Sequence, residues 1–409
     1  SALPLGSRAN SVLSNGFGLS DTEAQRGAEI LETDLGLSGS SITAVFHSDK
    51  FSYLDFEFEN EVAFLLDRLQ SSNSAVTMAV TPYGSQNENM VSEDGATVYA
   101  TVYLDSSMDE TMEMLPDLRE PLQSDVLEVK VTGGIPIFYD LNVISENDLR
   151  RAETVALPVI LVVLVFVFGS LVAAVLPLVM GLMSILFTAA LVYLLAQTMD
   201  MSVFVLNIAT LLGLGVAIDY SLLVVNRFRE ELETKEVVYA LGTTVATSGK
   251  AILFSALTSI IGLSGLLLFD FMMLRSIGVG GVVVIFLSLC IAMTLLPAAI
   301  GILGQRVNSL KLFKLRKSNG SFWNKLASHV MRRPFSVAIP LVILLLFLGI
   351  PFLNVKLGAP WASILPSDAA SRQGMELINR GMGPGETSPI IVVYKSPKEL
   401  LTPDNIAAI

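Results

Sequence analysis

From residue 153 onward the chain alternates between long apolar runs and short polar interruptions. Six runs approach the roughly 20 residues an α-helix needs to cross a hydrocarbon layer: 153–171, 173–196, 203–226, 250–269, 275–302 and 335–354. The first two are divided within "FGSLVAAVLP" (Phe168 to Pro177), which predicts a very tight turn. The first 150 residues are patterned differently. Short apolar segments predict strands at Ser41–His47, Ala75–Val80, Ala96–Leu104 and Leu127–Thr132, and helical periodicity predicts Phe56–Leu69 and Met108–Leu122. "SDTE" (Ser20 to Glu23) is a capping box that opens a further helix to about Leu35. Pro136–Arg151 reads as a helix leading into the first span. From Ser41 the order is βαββαβ, the split βαβ or ferredoxin-like arrangement. The pattern therefore predicts a polytopic α-helical membrane protein with an α+β domain outside the bilayer.

A repeat extends this picture. "LSDTEAQRGAEILETDLG" (Leu19–Gly36) is similar to "LPSDAASRQGMELINRGMG" (Leu365–Gly383). Ser20, Asp21, Gly27, Glu29 and Gly36 match Ser367, Asp368, Gly374, Glu376 and Gly383 at a constant offset of 347, and Leu3–Leu5 falls where Ile350–Phe352 falls in the second copy. The expected organisation is an outer domain at 1–151, five spans in 152–303, a linker at 304–334, a span at 335–354 that opens the second repeat, and the start of a second outer domain at 355–409. On this reading the chain is a piece of a protein nearly twice as long, built from parallel repeats of a kind found in transporters.

Charge supplies the orientation. Charged residues make up only 16% of the 409, below the roughly 25% of soluble domains. Residues 1–151 hold 25 acids against 8 bases, whereas residues 304–334 hold 8 bases and no acid. Arg227, Arg229 and Lys235 follow the third span, on the same side as that basic linker. By the positive-inside rule this side is cytoplasmic, and both α+β segments lie outside. The acidic balance argues against a nucleic-acid partner. "SALPLGSRAN" has no apolar core, so no signal peptide is read there. Cys290 is the single cysteine, which excludes an intrachain disulfide.

One residue breaks the apolar logic of the spans. Asp219 stands in "LLGLGVAIDYSLLVVNRFREEL" (Leu211–Leu232), where a carboxylate costs about 2.5–3.5 kcal/mol on insertion scales. At 100° per residue it shares a helix face with Leu212, Gly215, Leu222, Leu223 and Asn226. Gly215, one turn earlier, invites close approach of a neighbouring helix, and Ala209, Gly213 and Ala217 form a small-residue series on an adjoining face. The helix reads as built for a bundle interior, with Asp219 paired to a polar group or open to a water-filled cavity. A carboxylate poised between burial and a favourable partner takes and releases protons as its surroundings change. The alternative is a structural aspartate bonded to a neighbouring helix. Tyr220 is a relay candidate or core. Ser255, Thr258 and Ser259 in "LFSALTSIIG" are candidate partners for Asp219, or bond their own backbone.

The combination "GVAIDY", "DYSLLVVNRFREE" and "LFSALT" resembles the MMPL branch of the resistance–nodulation–division (RND) superfamily, along the whole chain. That resemblance implies an RND-type architecture with porter domains outside a bacterial plasma membrane. It also implies proton-driven export of lipids or other hydrophobic molecules, with Asp219 and Tyr220 as the fourth-span relay pair. Family members place a second such pair in the tenth span, which has no counterpart before Ile409. Two other readings share the architecture: a Sec-type protein-translocation accessory, and a sterol-sensing, Patched-like membrane protein. An intramembrane aspartyl protease needs two facing aspartates, and only Asp219 is central to a span.

Other signals set limits. The basic linker contains "SFWNKLASHVMRRP", whose Phe322, Trp323, Leu326, Ala327 and Val330 form an apolar stripe; it is read as an interfacial helix on membrane lipid or as a plain linker. His47 and His329 are far apart, no Cys/His cluster exists, and no metal or other cofactor is expected. No phosphate-binding G-x-x-x-x-G-K-[ST] is present. Gly278, Gly280 and Gly281 are expected to be helix-packing positions.

Overall fold

A computed structural model of the chain describes residues 40–85, 87–311, 321–354 and 362–383, with a few isolated positions besides. The helix expected over Ser20–Leu35 lies outside the described residues, save positions 23, 26, 27 and 30, which are helical.

The first described segment builds a four-stranded antiparallel sheet from β1 (Ser40–His47), β2 (Val76–Val80), β3 (Thr97–Leu104) and β4 (Glu128–Thr132), in the order β2-β3-β1-β4. Strand β1 is central, pairing Ser40–His47 with Leu104–Thr97 on one side and Thr43–His47 with Thr132–Glu128 on the other. Alternation along β1 sends Ile42, Ala44 and Phe46 to one face. There they are fully buried against α1 (Phe56–Ser72) and α2 (Met108–Arg119), through Phe58, Val62, Leu65, Leu69, Leu115 and Leu118. Helix α2 starts on a capping box: Ser107 Oγ accepts the Glu110 amide at 3.3 Å, and Glu110 Oε2 accepts the Ser107 amide at 2.9 Å.

The opposite face of the sheet is covered from far along the chain. Val45 and Tyr99 pack there with Met90 and with Ile378 of α11 (Ala370–Gly381). Glycines allow this contact. A Cβ on Gly374 would sit 3.1 Å from the Cβ atoms of Lys130 and Thr132, and one on Gly381 would sit 2.6 Å from Ser92 Cβ. Helix α11 lies in the segment Leu365–Gly383, read from the sequence as a second copy, and it packs on the sheet of the first described segment.

Polar bonds fix its first turn. Thr132 Oγ1 donates to the Ser371 carbonyl at 2.6 Å, and the Ser371 amide donates to Asp140 Oδ2 at 3.1 Å. Asp140 also takes a bidentate pair from Arg119, at 2.8 and 3.1 Å. Burial alone would raise this carboxyl, but the Arg119 and Ser371 bonds outweigh it and hold it below the usual aspartate range.

Asp140 lies in α3 (Gly134–Phe168), which enters from Gly133, a residue at φ 110°. The helix expected at Pro136–Arg151 and the first span are one unbroken element of 35 residues, about 52 Å long at 1.5 Å per residue. It ends at Gly169, in the left-handed region at φ 62°, and Ser170 begins α4 (Leu171–Ala196) by accepting the Ala173 amide. The expected tight turn is thus confined to Gly169–Ser170.

Four more apolar helices follow: α5 (Phe204–Glu231), α6 (Val237–Ser264), α7 (Met272–Cys290) and, after the basic linker, α10 (Pro334–Gly349). Helix α7 continues through a π segment, Ile291–Leu295, into α8 (Leu296–Leu303). Among the described residues six helical stretches are long and apolar enough to cross a membrane, matching the six expected runs. The fourth differs at its start: α6 begins at Val237 rather than near residue 250. Its early polar residues satisfy themselves, Thr244 donating to the Ala240 carbonyl and Thr247 to that of Thr243, both at 2.8 Å.

Candidate functional site

Helix α5 sits at the middle of the bundle, against α4 on one side and α7 on the other. Small residues make this packing close. A Cβ on Gly213 would lie 2.9 Å from Val284 Cγ2 and 3.3 Å from Ile185 Cγ1, and one on Gly181 would lie 3.0 Å from Leu214 Cδ1. Ala209 and Ala217, the other members of the small-residue series, are buried on the same side. Gly280 fits against Val205, and Gly278 and Gly281 fit against Leu266 and Leu263, so the three α7 glycines are packing positions as expected.

The face that carries Asp219 behaves oppositely. Leu211, Gly215, Asp219 and Leu223, each four residues from the next, form an exposed stripe along α5. Of the two settings expected for Asp219, a polar partner or an open cavity, the described residues supply no polar partner. A helical wheel shows which residues share a face, and the neighbouring elements decide whether that face is covered. Among the described residues no side chain hydrogen-bonds or ion-pairs with Asp219. Gly215 likewise meets nothing within 4 Å, so the close helix approach expected there is not made among the described residues.

Tyr220 turns away from Asp219 by the 100° step of the helix and is buried at 6% exposure. Its phenol lies beside Ser255 of α6. The hydroxyl candidates Ser255 and Thr258 thus separate from one another. Ser255 neighbours Tyr220, and no bond from it to Asp219 occurs among the described residues. Thr258 donates to the Phe254 carbonyl of its own helix at 2.8 Å, which corrects its reading as an Asp219 partner.

Further polar groups, which periodicity did not single out, lie inside the bundle. Ser184 of α4 and Ser288 of α7 are fully buried and bonded to each other at 2.7 Å. Thr188, one turn from Ser184, and Ser221, beside Tyr220, are fully buried with hydroxyls that find no partner among the described residues. Isolated hydroxyls in apolar sequence carry no signal beyond their rarity, so only packing reveals them.

Charged clamps close the α5 end that carries the bases. Arg229 donates from Nε to Asn308 Oδ1 at 2.7 Å and from Nη1 to the Phe168 carbonyl at 2.8 Å, with its guanidinium 5.6 Å from the Phe168 ring. The Ser170 hydroxyl is shared between the carbonyls of Val307 and Ser309, at 2.9 and 2.8 Å. Glu231 is held by Arg227 at 2.5 Å and Lys235 at 2.7 Å. These bonds fix the depth and rotation of α5, and so the direction in which Asp219 points.

No group of three or more His, Cys, Asp or Glu side chains suited to a metal ion occurs among the described residues. His47 bonds Thr97 Oγ1 at 2.9 Å and belongs to the sheet.

Comparison with known proteins places this arrangement. The family model described as the MMPL family matches residues 18–337. A Streptomyces coelicolor protein described as a membrane protein is 33% identical over 95% of the chain and 55% of its own length. The trehalose monomycolate exporter MmpL3 of Mycobacterium tuberculosis is 30% identical, over 87% of the chain and 41% of its own length. The mycolic acid-containing lipids exporter MmpL11 of Mycolicibacterium smegmatis is 30% identical, over 96% and 42%. The chain spans about half the length of the relatives it matches. With a family model over more than three quarters of its residues and relatives aligned along nearly all of it, this multi-pass membrane protein belongs to the MMPL family of transporters, in the RND superfamily.

Proposed function

We propose that the chain holds the first repeat and the start of the second of a proton-driven exporter of lipids or other hydrophobic molecules, and that Asp219 is its proton-carrying group. The observation that carries the reading is the open stripe on α5. Along the span the other faces of this helix are buried or partly buried, yet the one bearing a membrane carboxylate has no cover among the described residues. An uncovered carboxylate in hydrocarbon is unfavourable, so the stripe is best explained as an interface that a second repeat closes. The relatives' greater length supplies the residues for that repeat. A partner helix along Leu211, Gly215, Asp219 and Leu223 would approach closely at Gly215.

On this reading protonation neutralises Asp219 and lets the two repeats close dry, while deprotonation demands water or a cation between them. Tyr220 and Ser255 form a hydroxyl pair beside the carboxylate, suited to passing a proton toward it. The sheet segment serves as a ferredoxin-like porter domain outside the cytoplasm. Supporting that assignment are its β2-β3-β1-β4 order and two helices on one face. The lipid classes in the names of the relatives suggest an amphiphile with long acyl chains as substrate.

The test is Asp219→Asn in the full-length protein, reconstituted in vesicles with an imposed pH gradient. Gradient-dependent lipid export should fall to background while the thermal unfolding midpoint is kept. Normal export by the variant would overturn the proposal.

A further inference from the structure

The basic linker contains a formed helix, α9 (Ser321–Arg332), and its surroundings set where it must lie. Only Arg333 separates it from Pro334, the first residue of the apolar helix α10. Arg333 leaves the helical region at φ −138°, ψ 62°, so the two helices are distinct and meet at a bend. The end of α9 is thus tied to the point where α10 enters the hydrocarbon.

At 100° per residue Leu326, Ala327, Val330 and Met331 fall on one side of α9. Lys325, His329 and Arg332 fall on the other, with Lys325 and Arg332 about 20° apart. The apolar side is uncovered: Leu326, Val330 and Met331 are all exposed, Met331 at 81%. Two expected members of the stripe, Phe322 and Trp323, have side chains outside the described residues. Across residues 304–334 there are 8 bases and no acid. An apolar face that has no protein cover among the described residues, opposite a polar face that carries Lys325 and Arg332 and no acid, and held at a membrane boundary, has the chemistry of a helix lying in the lipid headgroup layer.

We propose that α9 is an interfacial helix that binds anionic lipid headgroups through Lys325, Arg332 and Arg333, with Leu326, Ala327, Val330 and Met331 seated in the acyl boundary. A bound helix of this kind fixes the rotation of α10, because the bend at Arg333 leaves one residue of slack. The occupant is membrane lipid rather than protein, since a protein groove matched to this face would need acids facing a row of bases. The proposal does not depend on the transport reading.

Spin labelling tests it. In a Cys290→Ser background, single cysteines at Ala327 and Ser328 carry a nitroxide, and the full chain is placed in nanodiscs of phosphatidylcholine with or without phosphatidylglycerol. With phosphatidylglycerol, the label at 327 should collide with oxygen and be shielded from an aqueous nickel chelate, while the label at 328 shows the reverse. Lys325→Glu with Arg332→Glu should weaken the lipid-bound population about fivefold per charge and remove its dependence on phosphatidylglycerol. Equal nickel access at both positions would overturn the proposal in favour of a free linker. Shielding of 327 from both reagents would overturn it in favour of a protein contact. Lipid contact that ignores phosphatidylglycerol and the charge reversals would remove the headgroup role.

Discussion

Asp140→Ala isolates the bond that ties the returning helix α11 to the first sheet. The carboxylate holds both arms of Arg119 and the Ser371 amide, and is itself only 8% exposed. Breaking a fully buried ion pair from one side costs about 3–5 kcal/mol. The Arg119 side chain is 24% exposed and recovers part of its hydration, which brings this contribution to about 2 kcal/mol. The stranded Ser371 amide adds about 1 kcal/mol. A total of about 3 kcal/mol lowers the docked-to-undocked ratio of α11 by about a hundredfold. Hydrogen exchange read by mass spectrometry on nanodisc-embedded protein measures it directly. Amides of Ala370–Gly381 should lose about two powers of ten in protection, while those of β1 and β3 keep theirs. Unchanged protection in α11 would refute the latch. Equal loss through β1 and β3 would refute its locality, making Asp140 a support of the sheet rather than of the docking.

The same carboxyl sets a pH limit. Its folded value is depressed, so its contribution is complete above the ordinary aspartate value of about 3.9 and is lost as pH falls through the depressed one; α11 protection should be flat from pH 8 to 5 and collapse below about 4. Gly280→Ala drives a methyl into Val205 and should destabilise the bundle by about 1–3 kcal/mol, read as a lower unfolding midpoint in detergent. Ser184→Ala strands Ser288 and should cost about 0.6–1.5 kcal/mol, with the Ser184→Ala, Ser288→Ala double variant recovering part of it in the same melt. A Cβ at Gly215 would meet nothing within 4 Å, so Gly215→Leu should shift stability of this chain by less than about 0.5 kcal/mol, yet block export in the full-length protein; retained export would count against a partner helix on that stripe.

The spans were legible because hydrocarbon thickness demands a long apolar run whatever the tertiary context, and the strands because burial on both faces of the sheet makes β1 and β3 short runs rich in apolar and β-branched residues. The start of α6 was not, since its threonines look polar until their bonds to their own backbone are counted. Nor was the π segment: Pro297 follows it, and nothing in "IAMTL" distinguishes a wider turn from an ordinary one. For the site, periodicity correctly grouped Gly215, Asp219 and Leu223 on one face. It did not reveal that the face is uncovered, because cover is a property of other elements. Tyr220 and Ser255 meet across 35 positions, and Asp140 and Ser371 across 231. Such pairs leave no local trace, although the repeat did mark the segment that makes the second one.

The unbroken course of α3 has a mechanical consequence. One end of this rod carries Asp140 and borders the sheet; the other ends at Phe168, whose carbonyl Arg229 of α5 holds. Between them stands Pro158, which removes one helical bond and makes that point the natural fulcrum. From Pro158 back to Gly134 the arm is about 36 Å, so a bend of about 10° there swings the sheet end by about 6 Å. A small bend at Pro158 is thereby geared up to a displacement of several ångströms at the sheet, with no loop in the path to absorb it.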